Sequence, residues 1–290
     1  MSMKVCVLQP DYSTSAVDYQ YYDPKRDLSR LLPGAEVDHV FLNKLTTYKQ
    51  LKALETKGYD IFVNLCEGYL EWEVPSIDVI YTLELLGLPF TGPSSLLYDP
   101  PKELMKYVAY CEGIATPTYM LVESPEDAER ISRIMSFPLF VKPAKAGDSL
   151  GIDDRSLVNT RQELLDKVAA ILPEYPQLLV EEYIDGREFT VLVAANPDGK
   201  TSTAFRPVEY IFPEGFSFKT YALKTSELHP NANVPVPDGE LKDRLCSAAQ
   251  RIFKGFNGLG YARLDFRTNA EGKIFFLEVN FTCSVFYNQG

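Results

Sequence analysis

The chain has 290 residues, 46% of them hydrophobic and 24% charged, with a net charge of −11. That length buries a substantial core in one large domain or about two to three smaller ones, and the composition is that of a folded globular chain. The acidic balance excludes general nucleic-acid binding, which needs a basic face, and argues against docking on anionic membranes; no apolar run approaches the ~20 residues of a membrane span.

The first third alternates strands and helices. Residues 4–8 read as a buried strand, which makes the N-terminus a strand start and not a signal peptide. Residues 60–65 read as a second strand. Residues 75–86 form a helix, with Pro75 at its start and Gly87 as its stop, and 88–91 return as a short strand. This is the rhythm of a parallel sheet with helices on its faces. A boundary follows at Gly92-Pro93-Ser94. A helix then runs from Asp99-Pro100-Pro101 to Glu112, stopped by Gly113. Ser124-Pro125 caps another helix, 139–142 is a strand, and a glycine-containing loop spans 145–151. Thr160-x-x-Glu163 matches a capping box, and 178–182 is a strand. The last third opens on a hairpin turned by Asn196-Pro-Asp-Gly199. Residues 206–237 are rich in Pro, Phe and Tyr, as befits a functional loop. A helix over 239–254 precedes a final hairpin, 261–268 with 273–279.

That hairpin carries the most chemistry. Arg263 and Asp265 are two apart in one strand, as are Glu278 and Asn280 in the other, so each pair shares a face. If Thr268 pairs with Lys273, all four side chains lie on one side. With only two histidines in the chain, a metal would be held by carboxylates and amides, and this donor set suits Mg²⁺. An edge hairpin with a solvated polar face gives the same pattern. The loop 147–151 follows a strand containing Lys142. Its backbone N–H groups and that lysine suit a phosphate, although for such a loop taken alone a surface turn is the commoner explanation. Residues 181–188 join two expected domains and suit either an adenine hinge with a ribose carboxylate or an ordinary linker. Lys102 and Lys106, one turn apart on a helix, fit a solvated face. The five cysteines are odd in number and form no Cys-x-x-Cys pair, so neither a disulfide framework nor a zinc knuckle is signalled and a reducing cytoplasm is expected. Cys283 and Ser284 fit packing better than covalent catalysis.

Taken in order, Thr91-Gly92, Lys102, Lys142 with Gly147-Asp-Ser-Leu-Gly151, Glu181 through Glu188, Arg263-x-Asp265 and Glu278-x-Asn280 resemble the ATP-grasp superfamily. Within it the resemblance is greatest to the D-alanine–D-alanine ligases. Leu83-Glu-Leu-Leu-Gly-Leu-Pro-Phe-Thr-Gly92, Phe140-Val-Lys-Pro143 and Gly186-x-Glu188-Phe-Thr-Val191 are similar to phrases of that family. The resemblance implies an α/β ATP-grasp fold of three consecutive units: 1–94, 95–182 and 183–290. ATP would lie between the second and third. Lys102, Lys142 and, in the aromatic segment, Lys219 would contact phosphates. Gly147, Ser149 and Gly151 belong to the loop that folds over them. Glu181, Tyr183 and Ile184 match the adenine hinge and Glu188 the ribose carboxylate. Asp265, Glu278 and Asn280 match ligands of Mg²⁺, with Mn²⁺ as the alternative ion. Arg263, with a backbone N–H near Ser284, would hold an oxyanion.

The implied chemistry is amide or peptide bond formation through an acyl phosphate, from small-molecule carboxylate and amine substrates. A nucleotide-binding protein without ligase activity and a small-molecule kinase on the same scaffold are the alternatives. The expected partners include no nucleic acid and no membrane, and a homodimer is left open. The family's Gly-Gly turn and ammonium-binding Glu are absent from Gln9-Pro-Asp-Tyr-Ser-Thr-Ser15. Asp148 stands where Ser is usual, Thr220 where Tyr is usual, and Phe281-Thr-Cys-Ser-Val-Phe-Tyr replaces Ser-Pro-Gly-Met. The expected substrate is therefore an amino acid other than D-alanine, its ammonium group held by Asp11 and Asp148. The chain ends ten residues past Asn280, where relatives continue into a helix, so a truncated C-terminal unit is expected.

Overall fold

The computed structural model describes residues 2–13, 15, 23–68, 70, 72–145, 150–212, 214–215, 217–218 and 232–283. The chain divides into two compact units. The first comprises 1–99, 258–261 and 281–290, and the second 100–257 and 262–280.

The first unit is built on three parallel strands, β1 (Lys4–Pro10), β2 (Glu36–Leu42) and β3 (Ile61–Asn64), in the order β2-β1-β3. β1 is central and almost wholly buried, as its continuous apolar run requires. Helices α1 (Thr47–Leu54) and α2 (Ile77–Leu85) cover it, and Cys6, Leu8, Leu51, Phe62, Val79 and Leu83 form the core between them. The strand expected at 88–91 reduces to a single parallel bridge between Phe62 and Phe90. β2 is absent from the sequence expectation. It is an edge strand whose early residues are half-exposed, so Glu36 and Asp38 disguise its apolar content.

The second unit holds two antiparallel sheets. The smaller has the order β4-β7-β5-β6, from β4 (Tyr119–Val122), β5 (Leu139–Pro143), β6 (Leu157–Val158) and β7 (Leu178–Glu182). Helices α4 (Pro125–Ile134) and α5 (Arg161–Ile171) seal it around Ile131, Leu139, Val141, Leu164 and Val180. Ser124 caps α4 in a reciprocal capping box with Asp127. At α5 only half of the expected box forms. Thr160 accepts from the Glu163 N–H, while the Glu163 carboxylate accepts from Asn159 N–H, one residue before the cap.

The larger sheet runs β11-β10-β8-β12-β13, with β9 also paired to β8. Its strands are β8 (Glu188–Ala195), β9 (Ser202–Ala204), β10 (Val208–Tyr210), β11 (Asn233–Pro235), β12 (Tyr261–Thr268) and β13 (Ile274–Asn280). Helix α3 (Lys102–Cys111) precedes the smaller sheet, and α6 (Glu240–Gly255) precedes the final hairpin.

Candidate nucleotide and metal site

The β12–β13 hairpin does not have the expected register. Thr268 pairs with Ile274, not Lys273. The cause is Asn269, whose side chain accepts the Lys273 N–H at 2.8 Å and keeps Lys273 in the turn. Continued regularly, that pairing would set Asp265 opposite Leu277 and turn Glu278 to the other face. A bulge between Asp265/Phe266 and their partners inserts Leu277 as one extra residue. Beyond it Asp265 stands opposite Glu278 and Arg263 opposite Asn280. The four side chains share one face, while Leu264, Phe266, Phe276 and Val279 are buried on the other.

On the polar face, Arg263 Nε lies 3.5 Å from Asp265 Oδ1. Asp265 Oδ1 and Asn280 Nδ2 are buried and have no hydrogen-bond partner among the described residues. An unsatisfied buried polar atom costs about 1–3 kcal/mol, which calls for a compensating ligand. Turning the Asn280 amide by 180° puts its oxygen where the nitrogen stands. With Glu278 opposite Asp265, the face then offers three hard oxygen donors, and these fit a divalent cation of the Mg²⁺ kind. Among the described residues no group of three or more His, Cys, Asp or Glu is placed to hold a metal, and this set of two carboxylates and one amide is not of that type.

Three lysines of the same unit gather near these carboxylates. Lys102 Nζ is 4.0 Å from Glu278 Oε2. The β5–β7 register pairs Lys142 with Leu179 and Phe140 with Glu181, which sets Lys142 diagonal to Glu181 on one face. Lys142 Nζ donates to Glu181 Oε1 at 2.5 Å, and Lys106 Nζ lies 2.8 Å from Glu181 Oε2. All three groups are buried. Burial pushes the Glu181 carboxyl up, and Lys106 and Lys142 more than offset it, bringing it down to about 2. Burial likewise pulls both lysines down. It prevails at Lys106, whereas at Lys142 Glu181, Glu278 and Glu188 together outweigh it and raise the ammonium.

Lys106 is not a solvated surface residue as expected: it is 2% exposed, and Lys102 is 8% exposed. Lys102, Met105, Lys106 and Ala109 form the buried stripe of α3, while Tyr107 and Tyr110 face solvent. The signal was in the helix periodicity, where the lysines align with Met105 and Ala109 at i, i+3, i+4, i+7 spacing.

The hinge 183–188 lies against β12. At Gly186 a Cβ would fall 1.9 Å from the Thr268 carbonyl oxygen, so only glycine fits this approach. Tyr183 stacks on Phe140, with centroids 6.3 Å apart, and donates through its hydroxyl to Ser217 O at 2.9 Å. Ile184 is buried. Glu188 is also buried, and its Oε2 accepts from Arg267 Nε at 3.1 Å. Arg267 was not singled out in the sequence. It follows Arg263 and Asp265 at period two on β12, yet nothing local in the sequence announces a buried guanidinium.

Gly151, at φ +73°, is packed so that a Cβ would meet Pro143 at 2.6 Å. Gly147, Asp148, Ser149, Lys219 and Ser284 lie outside the described residues. In the first unit, Asp11 Oδ1 accepts from Ser13 N–H at 3.0 Å, an Asx turn. Gln9 in the same stretch is buried and is no ligand candidate, since its amide bonds both the N–H and the carbonyl of Arg26. Cys283 is buried and in no disulfide.

A sequence model described as "D-ala D-ala ligase C-terminus" matches residues 109–285, more than half of the chain. The chain belongs to the D-alanine–D-alanine ligase family. The D-alanine–D-alanine ligase of Aquifex aeolicus is 30% identical over 231 residues, covering 79% of this chain and 74% of the relative. That of Cupriavidus taiwanensis is 28% identical over 205 residues, covering 68% of this chain and 59% of the relative. The chain thus spans under two thirds of some of the relatives it matches. Among solved structures, the VanG D-Ala:D-Ser ligase from Enterococcus faecalis superposes with a TM-score of 0.69 at 20% identity, covering 97% of this chain and 91% of that one. The D-alanine–D-alanine ligase from Bacillus anthracis complexed with ATP gives 0.65 at 20% identity, covering 97% and 86%. The fold is therefore the α/β ATP-grasp fold of this family.

Proposed function

We propose that this chain is an ATP-dependent ligase that joins a carboxylate to an amine through an acyl phosphate, and that the activated carboxylate belongs to an amino acid other than D-alanine. The observation that carries the reading is the shared face of Arg263, Asp265, Glu278 and Asn280 beside the buried lysines. A site that only stores a nucleotide has no need of this set.

Lys102 and Lys142 bind the phosphates and neutralise charge that accumulates as the phosphoryl group moves. Lys219 adds a third cation, and Gly147, Ser149 and Gly151 belong to the covering loop. Tyr183 and Ile184 line the base, next to Glu181, and Glu188 holds the ribose. Asp265, Glu278 and Asn280 hold Mg²⁺ or Mn²⁺, and a bound divalent cation supplies charge neutralisation on the phosphoryl oxygens. Arg263 and a backbone N–H near Ser284 steady the oxyanion formed when the amine attacks. Holding both substrates beside ATP supplies the orientation that the second step needs.

The departures from the family's first-substrate motifs support a substrate other than D-alanine. Asp11 and Asp148 are the proposed anchors of its ammonium group, so Asp11→Ala raises the KM of the amino acid and spares that of ATP in steady-state assays. An unchanged amino-acid KM removes Asp11 from the site. The same proposal covers the units 1–94, 95–182 and 183–290 and a cytoplasmic location, and leaves a homodimer open. Support for the location comes from the scattered cysteines, which form no disulfide. Among the described residues no helix is long and apolar enough to cross a membrane. The deciding experiment is a screen of amino-acid pairs for ATP-dependent phosphate release.

A further inference from the structure

Arg267 is one of the most buried charges of the second unit, 3% exposed, and the reaction described above does not use it. Its guanidinium makes three divergent hydrogen bonds. Nε donates to Glu188 Oε2 at 3.1 Å, Nη1 donates to Ile184 O at 2.8 Å, and Nη2 donates to Ser217 O. The plane is flanked by aromatic rings, 5.0 Å from the Tyr183 centroid and 5.5 Å from that of Phe212. A buried cation survives only if it is paired and hydrogen-bonded, and this one is both. Its three acceptors belong to two stretches of chain: the hinge, whose last residue Glu188 opens β8, and the aromatic segment that leads to Lys219.

We propose that Arg267 is the positioning residue for ribose recognition, locking the Glu188 carboxylate and the hinge carbonyl of Ile184 into one fixed relation. The proposal rests on the reading of Glu188 as the ribose carboxylate. A rigid five-donor fork suits this role, because each bond fixes the direction of the others. Held at Oε2, Glu188 has its carboxylate plane set. A hydroxyl that meets a pre-oriented carboxylate gains a charge-assisted hydrogen bond at little ordering cost.

The test compares the dissociation constants of ATP and 2′-deoxyATP by calorimetry in the full chain, for wild type, Arg267→Met and Arg267→Lys, with thermal melts alongside. Wild type should prefer ATP by about tenfold to hundredfold, the worth of one charge-assisted hydrogen bond. Arg267→Met should bring the ratio close to one while 2′-deoxyATP affinity changes little. Arg267→Lys keeps the charge without the fork and should lose most of the ratio too; it decides the question if the Met variant does not fold. A preserved ratio in a folded variant overturns the proposal, as does equal weakening of both nucleotides, which a merely structural role gives. A wild type that binds ATP with no preference removes the Glu188 assignment and the proposal with it. A wild type that binds neither nucleotide contradicts the ligase reading itself.

Discussion

Polar side chains are used differently near the end of β1 and in the second unit. Near the end of β1 they tie the local chain together: Gln9 bonds the Arg26 backbone, Asp11 closes a turn at Ser13, and the Tyr12 hydroxyl donates to the Asp23 carboxylate. In the second unit, Lys102, Lys106, Lys142, Glu181, Glu188 and Arg267 are all buried, and Asp265 and Asn280 carry buried atoms with no hydrogen-bond partner among the described residues. Polar groups that close turns stabilise a fold at small cost. Buried, mutually paired charges are expensive to desolvate, and such clusters mark functional sites. The contrast favours the second unit as the place of the proposed nucleotide and metal chemistry, and leaves Asp11 as the one proposed ligand of the β1 segment.

The largest effect that would break this contrast is expected at the hairpin. Glu278→Ala should lower ATP-dependent phosphate release by about 10²–10³-fold, the scale on which one group stabilising transition-state charge is felt. Circular dichroism and the melting temperature should stay close to wild type, because Glu278 lies on the polar face of the hairpin. Near-normal turnover would return that face to the solvated edge it otherwise resembles. Next comes Lys142→Ala, which should weaken ATP binding by about one to two decades in calorimetry. An unchanged dissociation constant removes Lys142 from the phosphate site.

What the sequence made legible follows from how local each signal is. The lysine strand, the hinge and the paired Arg-x-Asp and Glu-x-Asn are each a few residues long, and the structure puts their side chains where period two and period 3.6 place them. The shared face of the hairpin was anticipated from a four-residue loop. It is reached instead by a turn one residue longer and by the Leu277 bulge, two departures that cancel in parity. Neither leaves a mark in composition, because a bulge is fixed by the pairing partner. β2 was hidden by its edge position. Lys106 reads as a solvated residue and Arg267 goes unmarked because burial is a property of the assembled unit, and lysine and arginine are ordinarily exposed.

Smaller effects sharpen the account of the buried triad. Lys106→Met leaves Glu181 with Lys142 as its one remaining lysine partner, so Lys142 is held back from phosphate. ATP affinity should fall by about tenfold, and the melting temperature should drop, since breaking a buried pair is costly. An unaltered ATP affinity would show that Lys106 is a structural counter-ion alone. Acid gives the mildest probe. Glu181 is held near 2, below the ordinary carboxyl value of 4.5. Its contribution to stability is therefore fully present above about 4.5 and is lost as pH falls from there toward 2. Denaturant titrations across that window should show a steeper loss in wild type than in Glu181→Gln, and parallel curves would deny the triad its electrostatic role.

If this chain uses ATP to join a carboxylate to an amine, phosphate release measured against paired and single amino acids should require ATP, a divalent cation and both substrates. It should be fastest with a pair other than two D-alanines and be accompanied by an amide-linked product. Release with one substrate and a stable phosphorylated product, or efficient joining of D-alanine to D-alanine, would contradict this account.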